Sequence, residues 1–331
     1  MSSSFKNQTI TTTKRETKMK KTLLALLSAV LLITVVQPAQ AEDQKVLAII
    51  DTAIDSSKFP QIIHEVCFNT YKSSCLNKTN FMEGKGAAAL ATWPTNSNDM
   101  TAYHGDSMVK AALAVNPNLK IVFIRYAEQY PVTVVDSKTK VSSTVITYTN
   151  WADSLSRSID WVSKNAEKYS IDALSISQSS ISIQNWCTSD KTTISAVASL
   201  NSKNVPTFAA TGNDASKTLV GFPACVSGVI GVGSLASLQD GMLETATNRG
   251  PGLDLVALGG LSITKVNGAQ FNLAGSSGAA AISAAAYIAN NKYATFQEYL
   301  NSIPKVLVKQ TDRATKKVDP TFSVLVPYSN R

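Results

Sequence analysis

Histidine is almost missing from this chain, which holds only His64 and His104 in 331 residues. No CxxC spacing joins the four cysteines, so a structural metal site has no ligand set to draw on. Any reaction that needs an imidazole base therefore has two candidates. Net charge is also thin once it is placed along the chain. Six of the 31 Lys and Arg and one of the 23 Asp and Glu fall in the first 41 residues, leaving 25 basic against 22 acidic side chains. That balance carries no electrostatic signal for nucleic acid, and no nucleic-acid partner is expected. No repeat, low-complexity linker or shift in composition marks a second domain.

Long apolar runs are absent too, with one exception. Met19-Lys20-Lys21, the apolar run 22–36 and then Gln37-Pro38-Ala39-Gln40-Ala41 read as a secretory signal peptide cut after Ala41. Residues 1–18 are polar and precede a Met-Lys pair, so Met19 is read as the start. A membrane anchor is the competing reading, but the run is short for a bilayer and ends in a small-x-small site. No later run is long enough to span, and no stable membrane span is expected after cleavage. The remainder, 42–331, is long enough for one large domain with a substantial core. It contains all four cysteines, as suits an oxidising compartment, secreted or periplasmic. Pairing neighbours gives Cys67 with Cys75 and Cys187 with Cys225, each worth about 2.5–4 kcal/mol by loop entropy; the other connectivities stay open.

Strand-length apolar runs alternate with helical patterns, which argues for an α/β fold with a mostly parallel central sheet flanked by helices. Strands are expected at 46–50, 120–125, 173–177, 205–210, 229–233 and 253–257. Helices are expected at 107–115, 153–169, 192–201 and 277–290. Two segments, 132–149 with Asp136-Ser137-Lys138 and 262–273 with Asn267-Gly268, read as short β-hairpin insertions. Beyond residue 291, "TFQEYLNSI" reads as a terminal helix and "KVLVKQTDRATKK" as a strand-like segment.

In such sheets ligands gather where strands end at their carboxyl edge. The run Val46-Leu47-Ala48-Ile49-Ile50 leads straight into Asp51-Thr52. Alone, that Asp is an ordinary turn or cap residue. His104 opens a helical stretch in "YHGDSM", where a lone histidine is ordinarily structural. Asn213 ends the strand of "VPTFAATGND", and Gly-Asn is common turn chemistry. Ser277 lies in "LAGSSGAAAISAAAYIAN", a run of very small residues at a helix start, where serine is a common cap. His64, in a loop-like segment flanked by cysteines, is read as structural or surface.

Taken in order, these pieces resemble the subtilase family of serine peptidases. "VLAIIDTAID" is similar to the family's strand ending in Asp-Thr-Gly, and "HGDSM" to His-Gly-Thr-His-Val. "FAATGNDAS" is similar to Ala-Ala-Gly-Asn, and "AGSSGAAAISAA" to Gly-Thr-Ser-Met-Ala-x-Pro, which sets Ser277 and not Ser276 at the nucleophile position. "AVNPNLKIVFIR", "GFPACVSGVIGVGS" and "NRGPGLDLVALG" resemble supporting family segments, so the likeness covers nearly all of 45–290.

The resemblance implies a three-layer subtilisin-like domain and a triad of Asp51, His104 and Ser277. Asn213 would be the oxyanion donor. It further implies a peptide or unfolded protein as substrate, lying as an extended strand beside Ser177, Gln178 and Ser179. The pocket for the residue before the cut would lie between that strand and Ala210, Thr211 and Gly212. Gln178-Ser179-Ser180 stands where the family has Leu-Gly-Gly, so a narrow pocket for small or modest residues is expected. No cofactor is expected; calcium is common in the family, but no dense acidic cluster assigns a site.

The chain departs from the family pattern at Asp106 and Ser107 after His104, and at Gly278 and Ala281 after Ser277. Asp51 follows the expected cut by ten positions, which leaves no room for the folding-assisting propeptide of many secreted relatives. Two other hydrolase or nucleotide readings fail on the residues. "GVGSLA" at 231–236 has the glycine rhythm of a dinucleotide site but no following helix. Gly-Ser-Ser-Gly-Ala around Ser277 is not Gly-x-Ser-x-Gly, and the order Asp, His, Ser is wrong for a lipase-like fold. The remaining alternative is a non-catalytic subtilase fold that binds peptides or a partner protein in the envelope.

Overall fold

The computed structural model describes residues 44–69, 75–91, 93, 102–135, 138, 140, 142–149, 152–237, 241–259, 261–264, 270–273, 275–290, 293–318 and 322–325. They belong to one compact unit, Gln44–Arg331. The leader expected at 19–41 and the turn residues Asp136, Ser137, Asn267 and Gly268 lie outside the described residues. No helix among the described residues is long and apolar enough to cross a membrane.

The strands, in chain order, are β1 (Val46–Asp51), β2 (Ile62–Phe68), β3 (Phe81–Glu83), β4 (Lys120–Arg125), β5 (Glu128–Val135), β6 (Ser142–Thr149), β7 (Ile171–Ile176) and β8 (Thr207–Ala210). They continue with β9 (Val229–Ser237), β10 (Met242–Leu243), β11 (Leu255–Leu258), β12 (Leu261–Thr264), β13 (Gln270–Leu273), β14 (Lys305–Gln310) and β15 (Phe322–Leu325). The helices are α1 (His104–Val115), α2 (Ala152–Asn165), α3 (Trp186–Ser189), α4 (Lys191–Ser202), α5 (Ser276–Ala289) and α6 (Phe296–Ser302).

Among the described residues eleven strands form one sheet in the order β10-β14-β15-β11-β9-β8-β7-β1-β4-β2-β3. Its centre, from β11 through β2, is parallel throughout. Because each central strand is covered on both faces, it reads as an unbroken apolar run. The alternation is visible in which core each residue joins. Leu47, Ile49, Ile121 and Phe123 pack with α1 and α5, whereas Val46, Ala48, Ile50, Val122 and Ile124 pack with α2 and α4. The result is three layers, helix on sheet on helix.

The two hairpins form where expected, as β5 with β6 and β12 with β13. Helix α2 ends at Asn165, short of the expected Tyr169. The chain turns there, with Ser170 at φ 51°, so that Ile171 can enter β7. The segment read as a loop around His64 is a correction: it is β2, paired parallel to β4, with β3 antiparallel beyond it. The glycines of "GVGSLA" lie inside β9 and not at a strand-to-helix turn, so the dinucleotide reading has no structural basis.

Helix α5 lies against β7, β8, β9 and β11 and beside α1. Ala279, Ala280, Ala281, Ala284, Ala285 and Ala286 are all fully buried along it. The run of small side chains is what lets a helix pass this close to a sheet while flanked by a second helix.

Candidate active site

The row Leu47, Ile49, Asp51 on β1 points toward α1 and α5, so the strand delivers a fully buried carboxylate to the carboxyl edge on that side. Asp51 Oδ1 accepts from its neighbour's N–H, Thr52, at 2.6 Å and meets His104 Nδ1 at 2.7 Å. His104 is the first residue of α1. Gly105 N donates to Thr52 Oγ1 at 3.2 Å, tying the helix start to the end of β1. Glycine is required there, because a Cβ on Gly105 would overlap the Ala53 carbonyl and lie 2.7 Å from the Phe123 ring. Burial works against a charged imidazole, but the charge of Asp51 and its hydrogen bond outweigh it and raise the His104 pKa above its ordinary 6.5. With the Nδ1 proton directed at Asp51, Nε2 is left to accept.

Ser277 stands in the first turn of α5. Gly275 precedes that helix at φ +128°, a backbone region that favours glycine. Ser276 N and Ser276 Oγ both donate to Asn213 Oδ1, at 3.0 and 3.1 Å, while Gly212 N donates to Ser276 Oγ at 3.1 Å. The Asn213 carbonyl oxygen is thus engaged by the start of α5, which fixes its amide group and leaves Nδ2 as a donor. The Ser277 hydroxyl donates to the Ser177 carbonyl at 2.7 Å, and Ser177 Oγ donates back to the Ser277 carbonyl at 3.1 Å. It is therefore turned to Ser177 and not to His104. The next residue, Gln178, brings Nε2 within 3.5 Å of His104 Nδ1, so the segment after β7 adjoins both serine and imidazole. Ligand-free sites commonly hold the serine–histidine bond open.

Asn248, to which sequence reasoning gave no role, holds the loop that carries Asn213. It is fully buried. Its Oδ1 accepts from Asp214 N and Ser216 N at 2.9 and 3.0 Å, its Nδ2 donates to the Thr211 carbonyl at 3.0 Å and to Asp214 Oδ2 at 2.8 Å, and its own N–H donates to the Gly212 carbonyl at 2.9 Å. The signal was an Asn just before Gly250-Pro251-Gly252, which reads as turn chemistry.

Asp106 does not cap its own helix. Its buried carboxylate accepts from Asp55 N at 2.9 Å and from Lys58 Nζ at 3.1 Å, pinning the loop after β1 onto α1. Burial raises its pKa, and the Asp55 N–H and Lys58 only partly offset this. Lys58 also reaches Asp55 and sits over the Tyr103 ring at 4.7 Å. His64 is remote from this chemistry in its contacts: it stacks on Trp161 and Tyr169 and meets Glu83 at 3.0 Å.

Of the residues expected to border a substrate, Ser177, Gln178, Ala210, Thr211 and Gly212 are buried, and Ser179 is partly buried. A cavity of about 350 Å³ opens beside Gln178 and Ser180, walled by Tyr126, Leu155, Ile183, Trp186 and Phe222. Disulfides join Cys67 to Cys75 and Cys187 to Cys225. Among the described residues no three His, Cys, Asp or Glu side chains group as metal ligands.

A sequence model described as "Subtilase family" matches residues 43–322. The chain belongs to the subtilase family. No curated protein sequence matches this subtilase. Its fold is similar to that of a lanthipeptide protease, at 15% identity over 77% of this chain and 78% of that one, with a TM-score of 0.50. It is equally similar to the PatG macrocyclase solved in complex with peptide, at 15% identity, 80% and 84% coverage and a TM-score of 0.50. At that identity the likeness concerns the fold. Family membership makes this subtilase a hydrolase of the serine protease type, and subtilase-fold proteases act on peptides.

Proposed function

We propose that this subtilase is a secreted or periplasmic serine endopeptidase, with 42–331 as its single peptidase domain. Ser277 Oγ attacks the carbonyl of the bond to be cut while His104 Nε2 takes its proton; His104 later gives that proton to the leaving amine, and water repeats the sequence to release the acyl group. Asp51 holds the imidazole in orientation and stabilises its charged form. Asn213 Nδ2 and the Ser277 backbone N–H donate to the oxyanion. The observation that carries this reading is the 2.7 Å contact of Asp51 with His104 on the sheet rim where α5 presents Ser277. The two cystines and the expected leader support export.

One observation favours a second reading, a subtilase fold that binds peptides without cutting them: the Ser277 hydroxyl is engaged by Ser177 and not by His104. A fluorophosphonate probe separates the two. The peptidase reading expects covalent labelling that disappears in Ser277→Ala, and a pure binder never labels.

A further inference from the structure

We infer that Gln310, at the end of β14, and Asp312, in the turn after it, are positioning residues of the active site: they fix the loop that carries Asn213. The inference rests on the peptidase reading, with Asn213 as the oxyanion donor, and adds residues on which its rate depends.

Asn213 stands on an irregular stretch. Beyond the end of β8, residues 213, 214 and 217–219 are exposed and lie in no strand or helix. Such a stretch opens readily unless bonds from fixed elements hold it. An oxyanion donor works only where its N–H already points at the developing charge. The bonds that reconcile the two come from segment 244–249. Ala215 N donates to the Ala246 carbonyl at 2.8 Å and Arg249 N to the Ser216 carbonyl at 2.9 Å, beside the bonds that Asn248 makes to Asp214 and Ser216.

Segment 244–249 is itself irregular, and the residues around the end of β14 hold it. Gln310 is buried, and its Nε2 donates to the Glu244 carbonyl at 2.7 Å and to the Thr247 carbonyl at 2.8 Å, which clamps the turn just before Asn248. Two residues on, the buried Asp312 carboxylate pairs with Lys217 of the Asn213 loop itself. Asp312 also accepts from Thr315 N at 2.5 Å, and its own N–H donates to the Lys317 carbonyl at 2.7 Å, so the turn 312–317 closes around the acid. Lys217 and Thr315 hold the Asp312 carboxyl far below the usual carboxylate range, so it is charged wherever His104 is neutral enough to act as a base. The clamp has a fixed base, because β14 pairs with β15 and β15 with β11 of the main sheet. Both supports of the Asn213 loop, the turn before Asn248 and the ion pair at Lys217, therefore lead to one short stretch of chain.

The test uses three variants of the full chain, with urea midpoints to show that each is folded. Lys217→Met breaks the ion pair from its exposed side, Lys217→Arg keeps it, and Gln310→Leu removes both amide bonds. On a peptide substrate, Lys217→Met and Gln310→Leu are each expected to lower kcat about tenfold with KM within about twofold, part of the roughly 10²-fold that a 1 Å misplacement costs. Lys217→Arg is expected to keep the native kcat. In an Asn213→Ala background the same substitutions are expected to change kcat less than about twofold, because no donor remains to be positioned. If Gln310→Leu does not fold, the two Lys217 variants carry the test. Native kcat in either folded variant, or an equal loss with and without Asn213, overturns the inference and leaves the peptidase reading standing. A native chain with neither Ser277-dependent labelling nor hydrolysis ends the peptidase reading and this inference with it.

Discussion

Asp51 and His104 meet through a single carboxylate oxygen: Oδ1 takes both the imidazole, at 2.7 Å, and the Thr52 N–H, at 2.6 Å, while the equally buried Oδ2 has no hydrogen-bond partner. A carboxylate held this way gains most when the imidazole is charged, the state that the proposed proton transfer from Ser277 would produce. Asp51→Asn keeps the shape and removes that gain. Its kcat/KM on a peptide is expected to fall about 10⁴-fold, the loss seen when a triad aspartate becomes an amide. A loss under tenfold would show that Asp51 is not part of the proton path.

The raised His104 pKa fixes the acid side of the rate profile. The imidazole must be neutral to accept a proton, so the rate of fluorophosphonate labelling is expected to fall through a midpoint above 6.5 as pH drops. In Asp51→Asn the midpoint should move down, because burial then acts unopposed. The same shift has a sign for stability. A group whose folded pKa is raised stabilises the fold fully below its unfolded value, and that contribution is lost as pH rises through the folded value. Ser277→Ala, which cannot digest itself, is the form in which urea midpoints on both sides of neutrality would show this.

Two asparagines at the site separate chemistry from support. Asn213 is exposed and its Nδ2 is a free donor, so Asn213→Ala is expected to lower kcat about 10²–10³-fold with KM little changed, and to lower the urea midpoint as well because buried Ser276 N and Oγ lose their acceptor. Asn248 touches no reacting atom but satisfies five groups of the loop around Asn213. Asn248→Ala leaves buried donors and acceptors unpaired and is expected to cost on the order of 2–3 kcal/mol of stability. Parallel urea melts and steady-state rates distinguish the two patterns.

Asp106 offers a pH signature of its own. Its buried carboxyl holds its proton more tightly in the folded chain, so its contribution is present below the ordinary carboxyl range and is lost as pH rises through the folded pKa. Asp106→Asn removes this titration. The melting temperature of the native chain, relative to this variant, should decline as pH rises above the ordinary aspartate value of about 3.9 toward neutrality. A constant difference across that range would show that Lys58 and Asp55 fully compensate the burial.

How much of this was legible in the sequence follows from where each signal lies. The central strands announce themselves because both faces are buried, and 120–125 was bounded correctly. Strand β2 hid because the polar pair His64-Glu65 interrupts its apolar run between Ile62-Ile63 and Val66-Cys67-Phe68. Glu65 is in fact buried and accepts from Gly86 N and Ala88 N at 2.8 and 3.2 Å, a role set by a loop some twenty residues on. Asp51 ends β1, His104 opens α1, Ser277 lies in the first turn of α5 and Asn213 follows β8 by three residues, so local pattern plus family resemblance singled them out as candidates. The role of Asn248 depends on partners far along the chain, and no local spacing encodes it.

The small residues of α5 carry the most direct test of how packing positions Ser277. Ala284 and Ser283 are neighbours on that helix, and both are fully buried. Ala284 belongs to the core between α1 and the sheet, where the space is already filled, so Ala284→Leu is expected to cost about 1–3 kcal/mol and to displace the first turn of the helix. Ser283 Oγ is buried with no partner, so Ser283→Ala removes an unsatisfied group without adding volume and is expected to leave stability equal or higher by about 1 kcal/mol. Melting temperature and labelling rate, read together, decide the point. If Ala284→Leu keeps the native labelling rate of Ser277, the helix does not transmit its packing to the serine, and the run of alanines serves the fold alone.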